Sequence, residues 1–232
     1  MRTGFGLMCK PPRPGVSKTR LAAVLGEARA AQIAAAFLQD SAELLAEVAA
    51  RFGAARRAFV APGDAVAELG ALLPGWPCTP QPTGDLGARM AAAFAQLFDD
   101  GAEAAVLTGT DAPTLPPALL ELLPAAIARG ADAALIPAQD GGYCAIALGR
   151  AQPRLLQDMP WSTPGLLAAT QARAAEAGLR LEILDSWFDV DEAPDLALLR
   201  ESLAGLAPAA ASPLPPFRAS ATRAALARLP SP

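Results

Sequence analysis

Histidine is absent from this 232-residue sequence. Its absence removes the Ser-His-Asp triad, His-ligated zinc and imidazole acid/base chemistry together, and leaves catalysis to carboxylates, lysines, arginines or metal-bound groups. Lysine is almost absent as well: among the 19 Lys and Arg residues only Lys10 and Lys18 are lysines, and both fall in one short loop. Cysteine is restricted to Cys9, Cys78 and Cys144, an odd number at wide spacings with no C-x-x-C pair, so ordinary thiols are expected rather than a zinc or redox site. No apolar run approaches the roughly 20 residues that span a bilayer. The start, Met1 to Lys10, lacks the basic segment and small-residue cleavage site of a signal peptide, so a cytoplasmic protein is expected. The net charge of -4 and pI near 4.9 exclude a surface designed as a whole for nucleic acid or anionic lipid, so any anion site must be local.

What is present is a hydrophobic fraction of 53%, enough for one domain with a substantial core. Much of it is alanine, which favours helices but buries little area, so the core must come from Leu, Val, Ile and Phe. Short apolar segments alternate with longer helical patterns, the signature of an α/β fold with a mainly parallel sheet covered on both faces. Strands are expected at 4–9, 57–61, 104–108, 133–137, 143–148 and 181–184, with a weaker one near Cys78. Helices are expected at 20–51, broken near Gly26, and at 65–73, 87–98, 117–129, 164–177 and 193–203. Residues 1–205 then form one domain. Residues 206–232 are a Pro/Ala-rich tail without a core of its own, expected to be poorly ordered, although 217–229 has the pattern of a short basic amphipathic helix.

The segment Lys10-Pro-Pro-Arg-Pro-Gly-Val-Ser-Lys-Thr-Arg-Leu links the first strand to the first long helix, the place where open α/β sheets bind ligands. Lys10, Arg13, Lys18 and Arg20 are electrostatically misplaced at a helix N-terminus unless an anion visits, and a polyphosphate resolves the conflict. Pro11, Pro12 and Pro14 stiffen the loop and remove backbone donors, so its anion contacts come mainly from side chains. It is not a P-loop, because Ser17 stands where glycine must precede the lysine. The alternative is a solvated turn with Ser17 as a helix cap.

Asp111 follows the buried strand 104–108 directly, a position that suits a metal ligand, since Mg²⁺ favours one or two protein carboxylates and completes its shell with water and phosphate oxygens. As an isolated Asp before Ala-Pro it equally suits a turn. A second acidic cluster, Phe188-Asp-Val-Asp-Glu-Ala-Pro-Asp195, enters the last long helix. In extended geometry Asp189 and Asp191 share one face while Val190 packs inward; Asp191 also suits a helix cap, and Asp195 suits first-turn stabilisation. Asp140, Gly141, Gly142 and Tyr143 allow close approach of backbone to a ligand, yet Asp-Gly between two strands is also a hairpin signal. In Gln81-Pro-Thr-Gly-Asp-Leu-Gly-Ala-Arg-Met, Gly84 and Gly87 let a loop fold tightly before a helix, and Asp85 and Arg89 are candidates to contact base, ribose or substrate.

Six motifs occur in order: the Lys10 to Leu21 segment, Gly84-Asp-Leu-Gly-Ala-Arg-Met, Gly109-Thr-Asp-Ala-Pro, Asp140-Gly-Gly-Tyr, Pro160-Trp-Ser-Thr and Asp189-Val-Asp. Together they resemble the DUF2064 group of glycosyltransferase-A-fold transferases, which is similar to 2-phospho-L-lactate guanylyltransferase and the molybdenum-cofactor nucleotidyltransferases. The resemblance covers residues 5 to about 200. It implies a nucleotide-diphospho-sugar transferase fold, a single Rossmann-like three-layer domain with a mixed sheet, binding an NTP or nucleotide sugar with Mg²⁺ or Mn²⁺ and a small-molecule acceptor. By the same resemblance the first loop holds the triphosphate, with Lys18, Arg20 and Asp111 as catalytic groups. Gly84, Asp85, Gly87 and Arg89 contribute to the nucleotide site, Asp111 binds metal, and Asp189 and Asp191 supply a second metal contact. Asp140 to Tyr143 and Trp161, Ser162 and Thr163 border the acceptor. Two positions depart from the pattern: Glu192 replaces the threonine usual after Asp-x-Asp, and Cys144 replaces an aromatic. Nucleotidyl transfer is the leading expectation, with sugar transfer from a nucleotide sugar and a non-catalytic nucleotide-binding module as the alternatives.

Overall fold

The computed structural model describes residues 1–206 and 211–229. Seven strands, β1 (Thr3–Cys9), β2 (Ala55–Val60), β3 (Cys78–Pro80), β4 (Ala104–Thr108), β5 (Ala133–Pro137), β6 (Tyr143–Leu148) and β7 (Leu181–Ile183), form one sheet in the order β3-β2-β1-β4-β6-β5-β7. All neighbours are parallel except that β6 runs antiparallel to both β4 and β5. The sheet is therefore mainly parallel, as the alternation of short apolar runs and helical patterns predicts, and mixed, as the family resemblance implies. Strand β3 has only three residues at the sheet edge, which is why its sequence signal is weak.

Among the described residues eight α-helices pack on the sheet or on one another: α1 (Thr19–Leu25), α2 (Glu27–Arg51), α3 (Val66–Leu72), α4 (Leu86–Asp99), α5 (Pro117–Ala128), α6 (Leu166–Glu176), α7 (Asp195–Leu203) and α8 (Ser220–Leu226). The first helical pattern breaks at Gly26, whose φ of 80° ends α1 and starts α2. Alternate strand residues feed two cores, as a period of two requires. Phe5, Leu7, Val106, Ile136 and Ala145 join Phe37, Leu45 and Leu120 on one face. Leu107, Leu135, Ile146 and Leu148 meet Phe59, Phe94 and Leu97 on the other. The result is three layers, with the carboxyl ends of β1 and β4 left open between loops.

The expectation of a poorly ordered tail is corrected for residues 211–229. Phe217 is buried, and α8 lies on α2. The fully buried Asp40 of α2 accepts hydrogen bonds from the backbone N–H groups of Ala221 (3.0 Å) and Thr222 (2.6 Å), satisfying donors that the short helix leaves open at its start. Arg218 pairs with Glu43 and Glu47 on the same helix. The tail lacks a core of its own and borrows one from α2. Residues 207–210 and 230–232 of that expected tail lie outside the described residues. Replacing Asp40 with alanine strands the part-buried Ala221 N–H and the buried Thr222 N–H, so Asp40→Ala is expected to cost about 2 kcal/mol in chemical denaturation. Amide exchange should accelerate at Ala221 and Thr222 first, and unchanged exchange there would remove the capping role.

Candidate functional site

A cleft of about 590 Å³ opens over the carboxyl ends of β1 and β4. Its floor is Met8 and Cys9 from β1, Leu107 and Thr108 from β4, and Tyr143 to Ile146 from β6. This is where the strand order turns from parallel β1-β4 to antiparallel β6, a switch point at which two loops diverge and leave space. One wall is the loop from Lys10 to Arg20, and the other is Gln81 with Leu86, Arg89 and Met90 at the start of α4.

The loop closes on itself, with the Ser17 hydroxyl donating to the Pro11 carbonyl at 2.7 Å rather than capping α1. Its four cations do not converge. Lys10 is exposed and lines the cleft, whereas Arg13 turns outward to pair with Glu68 of α3. Arg20 lines the cleft and reaches Glu192 at 3.6 Å. Lys18 points inward. With a side chain only 7% exposed, its ammonium contacts Asp111, Asp191 at 2.7 Å and the Val190 carbonyl at 2.7 Å, with the Phe37 ring centroid 5.4 Å away. Burial alone would lower the lysine pKa; the two carboxylates outweigh it and hold the group protonated with a raised pKa.

Asp111 and Asp191 come together because the Val190 N–H donates to the Asp111 carbonyl at 2.8 Å, stitching the end of β4 to the acidic segment while the Val190 side chain is buried. Both carboxylates are partly exposed on the cleft. Asp195 accepts from the backbone N–H groups of Asp191 (2.9 Å) and Glu192 (2.7 Å), the local role expected of it. Asp189 is not among the residues lining the cleft. It is half-buried, and its pKa is pushed up to about 6 by burial and then by the charges of Asp140, Asp191 and Asp111. Burial, and then the charges of Asp189, Asp140 and Asp111, raise the pKa of the Cys144 thiol on the cleft floor. Among the described residues no three Asp, Glu or Cys side chains are gathered tightly enough to hold a metal ion as they stand.

The second wall is organised by α4. Asp85 caps this helix, accepting from the Ala88 N–H at 2.8 Å, and lies outside the cleft lining; Arg89 donates from Nε to the Gly84 carbonyl at 3.0 Å and lines it. Gly87 lies so close to the 156–161 segment that an added Cβ would stand 1.9 Å from the Leu156 carbonyl oxygen. Gln81, to which the motif gave no role, also faces the cleft, with its Nε2 donating to the Phe59 carbonyl at 2.7 Å.

Asp140 to Gly142 form the tip of the β5–β6 hairpin, closed by the Ala138 N–H donating to the Gly142 carbonyl at 3.0 Å; Asp140 turns back onto the Gly142 N–H at 2.8 Å. Tyr143 and Ser162 line the cleft, while Thr163 donates to its own loop at the Pro160 carbonyl (2.8 Å). Tyr143 meets Trp161 edge-on, ring centroids 6.2 Å apart, and the Tyr143 hydroxyl and Trp161 indole N–H are buried without a hydrogen-bond partner. Such groups are costly unless something completes them. Residues that local sequence could not reveal are Phe37, the Val190 carbonyl and Gln81, since each matters only through contacts made across the fold.

Residues 21–163 match the family described as uncharacterized protein conserved in bacteria (DUF2064). The chain belongs to this family. The match holds Asp111, the hairpin tip and the Trp161 to Thr163 segment; the cationic loop and the Asp189 to Asp191 segment lie outside it. A solved structure from Desulfovibrio desulfuricans G20, whose name assigns it to the nucleotide-diphospho-sugar transferases, is 32% identical, with 98% of this chain and 95% of that one superposed at a TM-score of 0.83. CMP:2-keto-3-deoxy-manno-octonic acid synthetase in complex with CTP shares the fold at 13% identity and a TM-score of 0.53, over 88% of this chain and 99% of that one. Rv0371c of Mycobacterium tuberculosis H37Rv in complex with manganese does so at 16% identity and 0.51, over 87% and 100%. No curated protein matches the chain. This DUF2064 protein thus has the nucleotidyl and nucleotide-diphospho-sugar transferase fold, and no helix among its described residues is long and apolar enough to cross a membrane.

Proposed function

We propose that this DUF2064 protein is a metal-dependent nucleotidyltransferase that moves a nucleoside monophosphate from an NTP to a small phosphorylated acceptor, releasing pyrophosphate. The carrying observation is the meeting, in one cleft at the sheet's switch point, of loop cations with the paired carboxylates Asp111 and Asp191. Two oxygen ligands open to a cleft suit a hard cation that completes its shell with water and phosphate. That their oxygens already share one ammonium supports the reading that a single positive centre engages both. Asp111 and Asp191 would hold Mg²⁺ or Mn²⁺, which when bound supplies charge neutralisation at the α-phosphate.

The remaining chemistry belongs to the chain. Lys10, Lys18 and Arg20 disperse the triphosphate charge, and Arg89 with Gln81 borders the nucleoside end. An oxygen of the acceptor phosphate forms a bond to the α-phosphorus as the bond to the bridging oxygen breaks, and that electron pair leaves with pyrophosphate. An acceptor that is already an anion needs no general base, in keeping with a chain without histidine. Tyr143 and Ser162 border the acceptor, with Trp161 packed edge-on behind Tyr143.

Sugar transfer from a nucleotide sugar is the second reading, favoured by the name of the relative that is 32% identical. Against it, the segment after β4, Gly109-Thr-Asp111, carries one carboxylate where sugar transferases commonly carry Asp-x-Asp. Pyrophosphate release from a panel of NTPs with phosphorylated acceptors, with and without Mg²⁺, tests the first reading; no metal-dependent release with any pair would sink it. Thermal shifts should appear with Mg²⁺ and an NTP, and a shift with nucleotide sugar alone would reverse the ranking.

A further inference from the structure

Lys18 occupies the position that the proposed metal needs. Its ammonium has three donors, and all three are satisfied within the protein, by Asp111, by Asp191 at 2.7 Å and by the Val190 carbonyl at 2.7 Å. A lysine so engaged cannot touch a phosphate. Its backbone is left-handed, φ 51° and ψ 46°, a conformation that side chains other than glycine rarely adopt, in a loop otherwise set by proline and glycine. Two residues on, Arg20 reaches Glu192 at 3.6 Å, so the loop is tied to the acidic segment at two points. Two of the cations assigned to the triphosphate, Lys18 and Arg20, are thus balanced by carboxylates of the protein itself.

Resting on the metal-site reading above, we propose that Lys18 is a latch on that site: its ammonium closes the space between Asp111 and Asp191 to divalent cations, and cation and triphosphate enter together. A cation arriving alone would have to leave Lys18 buried without a counter-charge, which is strongly unfavourable. A triphosphate removes that obstacle by accepting the ammonium as the carboxylates pass to the metal. Metal and nucleotide affinities are then coupled, each raising the other by the same factor. Arg20 makes the same exchange, from Glu192 to phosphate, at the cleft rim.

The test is calorimetric titration of Mn²⁺, without nucleotide, into the wild-type protein, Lys18→Met and Asp111→Asn. Methionine keeps most of the stem and removes the charge, so Lys18→Met is expected to bind Mn²⁺ roughly tenfold more tightly than wild type or better. Asp111→Asn should bind none. Equal affinity in wild type and Lys18→Met, with loss in Asp111→Asn, overturns the latch and leaves the metal site standing. Binding that survives Asp111→Asn, or no binding by any of the three, overturns the metal site and the latch with it. Should Lys18→Met not fold, the wild-type chain answers the same question, because its two lysines give two distinct signals when labelled with ¹³C at Cε. The Lys18 signal, displaced by the Phe37 ring, is expected to stay put with Mg²⁺ alone and to move when Mg²⁺ and an NTP are added together. A signal that moves with Mg²⁺ alone, or that stays put with both, overturns the latch.

Discussion

Asp111→Asn is expected to lower pyrophosphate release roughly 10³-fold while leaving the fold in place, because the substitution removes charge from the one acidic side chain directly beyond β4 without changing its shape. Stability should fall by less than about 1 kcal/mol, since the carboxylate is partly exposed and Lys18 keeps Asp191 and the Val190 carbonyl as partners. The Asp111 backbone carbonyl still accepts from Val190, so the acidic segment remains stitched to β4. Loss of activity would then report on the ligand rather than on the loop. Activity rates, denaturation midpoints and Mn²⁺ titrations on one preparation separate the two. Full activity in this variant would remove the metal from the mechanism, and a large fall in midpoint would make Asp111 a structural residue.

How much of this could be read in advance depends on the range of the contacts involved. Strands β1, β4, β5 and β6 are continuous apolar runs because both of their faces are covered, and such runs are legible without partners. The break at Gly26 was legible for the same local reason. The cationic loop was legible as a clustering of both lysines, and its position after β1 followed from the fold class. Where each cation points was not, because Lys18 is claimed by a carboxylate 173 positions away and Arg13 by Glu68 in another helix. Asp85 looked like a ligand contact and is a helix cap, a role its place ahead of the α4 helix also permitted. The tail was misread for a related reason. Its own composition is that of a solvated segment, and what fixes it is Asp40, which within α2 reads as an ordinary polar position until α8 arrives on top of it. Sequence periodicity assigns faces; it does not say which distant charge will meet them.

Gly141→Ala is expected to damage the acceptor side of the cleft while sparing the nucleotide side, and the reason is steric as well as conformational. Gly141 has φ 92°, and a Cβ there would lie 2.2 Å from the Pro164 carbonyl oxygen, with two further Pro164 backbone atoms within 2.8 Å. Backbone atoms cannot rotate aside as the end of a side chain can. The hairpin tip must therefore lift from the loop before α6, losing the bond of the Leu167 N–H to the Gly141 carbonyl (2.9 Å) and separating Tyr143 from Trp161. The expected cost is about 2–4 kcal/mol from overpacking together with strain. Gly26→Ala supplies the contrast: φ is 80° and nothing lies within 4 Å of the added Cβ, so strain acts alone and the loss should be about 1–3 kcal/mol with no effect on the acceptor side. In kinetics the KM for acceptor should rise in Gly141→Ala, whereas the thermal shift given by Mg²⁺ and NTP should persist, because Lys18, Arg20 and Asp111 do not touch the hairpin tip. An unchanged acceptor KM would detach the Asp140 to Tyr143 segment from substrate and leave it as the turn that joins two strands.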